Sequence, residues 1–126
     1  MKSSNLKAVI LLLCLSPITA FSETITFECK YTNWSDNEGL HKVKDKFELN
    51  FIIDKETSKS YMLGNNGSTE VIPIKGESQF SFIEITASKN VMTTSIDNKL
   101  NSVHSRNSVM FGDIIPSQYY GKCEVK

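Results

Sequence analysis

The stretch Ile25-Thr26-Phe27-Glu28-Cys29-Lys30-Tyr31 alternates apolar and polar side chains without a break, and this two-residue period returns along most of the chain. Side chains of an extended strand point to opposite faces in turn, so the pattern describes a sheet with one buried and one wet face. No stretch carries apolar residues at sustained helical spacing with a cap at each end, which limits helix to a turn or two. The chain therefore reads as all-β.

Phe47, Leu49, Phe51 and Ile53 against Lys46, Glu48, Asn50 and Ile52 place a second strand at residues 43–54. The run SYMLG opens a third, and GNNGS, Gly64 to Ser68, reverses the chain because Asn and Gly tolerate the positive φ of a tight hairpin. TEVIPIK reads as a fourth strand, in which Pro73 predicts an edge position or a bulge, since proline has no N–H to donate. QFSFIEITA, VMTTSI, NSVHSRNSVMF and SQYYGKCEV complete a set of about eight. Short antiparallel strands joined by short turns predict a meander that closes, or partly closes, into a small barrel, because closure removes exposed edges. A two-sheet sandwich is the alternative.

Lys2 and Lys7 precede an apolar run from Ala8 to Leu15, followed by Pro17 and small residues at Ala20 and Ser22. That is the layout of a secretory signal peptide over residues 1–22, leaving one domain over 23–126 and a periplasmic or secreted location. Cys14 follows three leucines instead of a small residue, so no lipid anchor is expected. Without Lys2 and Lys7 the 14 basic residues fall to 12 against 14 acidic ones, a formal charge of −2. Nucleic acid is a poor partner for such a balance, and no later segment is apolar enough to span a membrane. Cys29 and Cys123 remain, one near each end and both on the apolar phase of their strands. In an exported domain that pair predicts a disulfide pinning the first strand to the last.

The polar cluster Ser102-Val103-His104-Ser105-Arg106-Asn107 interrupts a strand pattern. Strict alternation puts Val103, Ser105, Asn107, Val109 and Phe111 on one face, and His104 and Arg106 on the other. With the apolar face inward, His104 and Arg106 project outward, where they form either an ordinary wet face or a site for a carboxylate or other anion. Ser105 and Asn107 then break the inward phase, hinting at a bulge, an internal network or a small polar cavity. Glu84 shares the phase of Phe80 and Phe82; if buried it carries a raised pKa unless a cation compensates it, and Arg106 is the partner candidate. Trp34 reads as a loop residue that either plugs one end of the core or anchors a partner. Lys42, Lys44 and Lys46 form a basic stripe, and Tyr120 is the surface-contact candidate of the Tyr119-Tyr120 pair.

No nucleophile elbow, zinc-protease motif or phosphate-cradling loop occurs, and the two histidines, His41 and His104, are too isolated in sequence to suggest a metal site. No cofactor is expected. The leader, Phe27-Glu28-Cys29, the GNNG turn, SVHSR and PSQYYGKC together resemble a group of small exported proteobacterial β-proteins, a likeness that implies a location but no mechanism. In layout the chain is also loosely similar to the periplasmic and membrane-bound inhibitors of C-type lysozyme, small disulfide-stapled β-barrels with an aromatic-x-Cys near the start. Their Ser-Gly-x-x-Tyr and Trp-x-Lys-Gly elements do not occur here, so no inhibitory residue carries over.

These readings lead to an expected non-enzymatic exported binding module, monomeric or weakly oligomeric, that recognises a protein or envelope component, an inhibitor being one form of it. His104, Arg106, Tyr120 and Trp34 are its surface candidates. The alternative is a small-ligand carrier whose barrel interior is lined by Ser105, Asn107 and Glu84.

Overall fold

The computed structural model describes residues 23–126; the signal-peptide reading of residues 1–22, Cys14 included, lies outside them. Eight strands follow in order: β1 (Thr24–Asp36), β2 (Gly39–Asp54), β3 (Lys59–Gly64), β4 (Gly67–Lys75), β5 (Gln79–Ile85), β6 (Val91–Asp97), β7 (Asn101–Met110) and β8 (Asp113–Val125). Each pairs antiparallel with its neighbours, and β8 returns to β1, so the meander is a closed barrel. The sandwich alternative falls away. Among the described residues no helix is long and apolar enough to cross a membrane.

Closure is fastened where the alternation predicted. Cys29 and Cys123 stand directly opposite each other in the β1–β8 register and form a disulfide across 94 residues of sequence. Pro73 pairs with Phe82 on β5, while the β3–β4 pairing stops at Ser60–Val71. Its missing N–H thus falls where β3 has ended, a local edge inside a closed sheet.

Meander topology sends the β1–β2, β3–β4, β5–β6 and β7–β8 hairpins to one end of the barrel, and the other turns to the opposite end. The two ends differ in content. Toward the second end, Phe27, Phe51, Phe82, Ile96, Leu49 and Val71 are buried around the disulfide. Phe51 and Phe82 stack at 4.5 Å, and Phe27 meets Phe80 at 5.3 Å. Burying a phenylalanine contributes on the order of 1.5–3 kcal/mol, so this cluster anchors the fold. Toward the first end the interior turns polar and opens.

Candidate functional site

The register arranges the inward side chains in rungs that climb the tilted barrel. One rung runs Phe80, Ile96, Ser102, Gly121, Tyr31, Phe47. The next runs Phe82, Thr94, His104, Tyr119, Trp34, His41, and above it stand Glu84, Met92, Arg106 and Ser117. Chemistry changes from rung to rung: apolar below, aromatic and hydroxylic in the middle, charged at the top.

This order corrects the expectation for β7. His104 is 3% exposed and Ser102 is equally buried, so the inward phase is Ser102, His104 and Arg106. Ser105 and Asn107 share the outward phase, with Asn107 exposed, and they line no interior. The outward assignment of His104 and Arg106 inverted the strand because Val103, Val109 and Phe111, its apolar residues, face out. Inside, hydrogen bonds replace apolar contact. His104 Nδ1 and Thr94 Oγ1 lie 2.7 Å apart, and the Tyr31 and Ser102 hydroxyls meet at 2.9 Å. A buried polar group costs little once it is paired in this way. Burial, with Arg106 adding like charge, lowers the His104 pKa to about 4, so the imidazole is neutral at ordinary pH.

Trp34 is corrected as well: it lies within β1, not in a loop. Between Tyr31 and Asn33 the register shifts, one extra residue on β1 opposing Gly121 and Tyr120 on β8. Such a bulge reverses the phase of everything after it. Tyr31 and Trp34, three residues apart, consequently both point inward. The Trp34 indole stacks on the Tyr119 ring at 6.0 Å and lies 4.4 Å from His41, whose Nε2 is 2.9 Å from Asp36 Oδ1. On β2 the same irregularity takes Val43 to Lys46 out of pairing with β1. The Lys42, Lys44 and Lys46 stripe therefore sits on an arm beside the mouth.

Together these groups line an open-mouthed cavity of about 840 Å³, walled by Trp34, Phe47, Met62, Met92 and Tyr119, with His104, Glu84 and Arg106 on its β5–β7 side and Lys42, Lys44, Asp45 and Lys46 across from them on the β2 arm. Phe47 meets Tyr119 edge-to-face at 4.8 Å and His104 at 6.0 Å, closing the floor with aromatic surface. The Arg106 guanidinium lies 5.9 Å over the Tyr119 ring. Glu84 is half-buried, and its pKa is raised because burial costs its charge more than Arg106 returns. Tyr120 points outward as expected, but its hydroxyl is held by Ser35 at 2.9 Å and donates to Gln118 at 3.1 Å. Four of the seven sequence candidates, Trp34, Glu84, His104 and Arg106, thus meet in one cavity; Ser105, Asn107 and Tyr120 do not.

A second feature escaped the sequence reading. The β7–β8 hairpin carries Val109, Met110, Phe111, Ile114 and Ile115 into solvent beside the mouth, with Phe111 fully exposed. Phe111 and Gly112 both hold positive φ, +53° and +85°, the geometry of a tight two-residue turn in which Phe is a poor choice and Asn a good one. Valine and phenylalanine alternate along this hairpin as they would on a buried face, yet they face solvent.

Among the described residues no cluster of three or more potential ligands is placed to hold a metal ion. No protein-family model matches the chain, and no curated protein or solved structure matches it at a significant level.

Proposed function

We propose that the protein is a non-enzymatic, exported binding module that takes a small, largely apolar ligand into the open end of its barrel. The observation that carries this reading is the contrast between the two ends: one filled by phenylalanines, the other hollow over about 840 Å³ and walled by aromatic and thioether side chains. Binding cavities have this size, and here an aromatic and thioether wall lies below a rim of polar and charged side chains. The signal-like leader and a disulfide that needs an oxidising compartment support export.

Trp34 is the chain's one tryptophan and stands in the cavity wall, which makes it a local reporter. Titration with the neutral probe N-phenyl-1-naphthylamine is expected to quench Trp34 saturably at one site per chain, and Phe111→Ser is expected to leave that binding intact. No saturable quenching, or quenching abolished by Phe111→Ser, rejects the cavity as the binding site.

A second reading, recognition of a protein or envelope component, is favoured by the β7–β8 tip. Large exposed apolar residues gathered on one hairpin are a common mark of a docking surface. Capture of a defined partner from periplasmic extract by the wild-type protein and not by Phe111→Ser supports it.

A further inference from the structure

We infer that the cavity selects a ligand carrying a single oxyanion on its apolar body, with the Arg106 guanidinium as the counter-ion; this rests on the ligand-binding reading above and adds the ligand's charge class. Arg106 is half-buried at the mouth rung, between Met92 on β6 and Ser117 on β8. Its guanidinium is always charged and offers a planar fork of five N–H donors. Its Cζ stands 5.9 Å over the Tyr119 ring centroid.

Among the described residues the fork has no hydrogen bond, and no carboxylate lies within ion-pair distance of it. Glu84 is the acidic group facing Arg106 from β5, yet the two side chains form no ion pair. The Glu84 carboxylate is itself disfavoured by burial, so it compensates Arg106 poorly. The other charged groups at the mouth, Lys42, Lys44, Asp45 and Lys46, belong to the β2 arm, and Asp36 is occupied by His41. A half-desolvated guanidinium with an open fork, set above the aromatic wall of Trp34, Phe47 and Tyr119, is matched by a carboxylate, sulfonate or phosphate-like oxygen pair. His104 adds a second polar position, two residues away on the same face, with one ring nitrogen tied to Thr94 and its ring lining the cavity. The apolar body then packs on Trp34, Phe47 and Tyr119 while the oxyanion lies on Arg106.

Two probes separate charge from shape. 1-Anilinonaphthalene-8-sulfonate and N-phenyl-1-naphthylamine share one ring system and differ by the sulfonate. Trp34 quenching is expected to show the sulfonate binding about ten-fold more tightly, the scale of one charge-assisted pair. Arg106→Gln is expected to abolish that preference, bringing the ratio of the two probes' affinities close to one, and Arg106→Lys to retain part of it. A Lys42→Gln, Lys44→Gln, Lys46→Gln triple variant is expected to keep it. Equal binding of the two probes to the wild type, a preference that survives in Arg106→Gln, or one lost in the lysine triple variant overturns the assignment and leaves the ligand-binding reading standing. If neither probe binds, both fall. Circular dichroism melts of each variant identify any that fails to fold, in which case Arg106→Lys decides: a full ten-fold preference there counts against the fork and overturns the assignment.

Discussion

The Tyr31 and Ser102 hydroxyls meet at 2.9 Å although β8 runs between their strands, because the residue opposite both of them is Gly121. A side chain at that position is excluded by the backbone itself. A Cβ on Gly121 would overlap the Lys30 carbonyl and crowd the Tyr31 Cα, just where the β1 bulge brings the two strands together. Burial raises the Tyr31 pKa to about 12, so the phenol stays protonated and the bond survives across the usual pH range. Gly121→Ala is expected to cost at least about 1–3 kcal/mol, the range for overpacking a close contact, and to disturb the cavity floor. Urea unfolding checks it; a change under about 0.5 kcal/mol means the strands separate more easily than this packing implies.

The disulfide closes a loop that takes in most of the domain, its partners 94 positions apart. In the chain-entropy model such a crosslink is worth about 4 kcal/mol, through restriction of the unfolded chain. The Cys29→Ser, Cys123→Ser double variant is therefore expected to lose about that much stability, and the wild type to lose it on reduction. Because Cys29 and Cys123 are buried at the closure seam, reduction is expected to require partial opening of β1 from β8. Rates of thiol labelling under dithiothreitol, compared with and without denaturant, measure this. Fast reduction of the native protein contradicts it.

His104 makes stability pH-dependent in a definite direction. Its pKa is 6.5 in the unfolded chain and about 4 in the barrel, so between those values the unfolded state binds the extra proton. Stability is unaffected by His104 above pH 6.5, declines as pH falls through the window from 6.5 to 4, and levels off below the folded value. A shift of this size corresponds to a loss of roughly 3 kcal/mol. His104→Gln, which retains a polar group near Thr94, is expected to flatten that part of the profile while leaving the acid loss due to carboxylates. Melting temperatures of both proteins from pH 7.5 to pH 4 give the test, and parallel curves would sink it.

Strand count, meander and disulfide were legible because each follows from a local pattern: two-residue alternation, the Gly64 to Gly67 turn, and two cysteines on matching phases. The direction of β7 was not. Its interior carries Ser102, His104 and Arg106 and its exterior Val103, Val109 and Phe111, so the rule that apolar faces turn inward points the wrong way for a strand that lines a cavity. The position of Trp34 depended on one unpaired residue in β1, and the alternation before and after a bulge looks the same in sequence. Glu84 was legible because its strand keeps Phe80 and Phe82 on the inner phase.

Phe111 offers the sharpest separation of stability from function. It occupies the left-handed region, at φ +53°, and its side chain is fully exposed, so it gains nothing from packing. That conformation costs a bulky L-residue roughly 1–2 kcal/mol, and asparagine considerably less. Phe111→Asn is accordingly expected to stabilise the domain by about 1 kcal/mol, visible as a melting temperature higher by about 4–8 °C. If the β7–β8 tip is a docking surface, the same substitution weakens partner capture while Trp34-detected ligand binding stays unchanged. A residue that is replaced with a gain in stability and a loss in association is one kept for contact. A lower melting temperature in Phe111→Asn would show that the tip is packed against the barrel in solution, and the exposed aromatic would lose its significance.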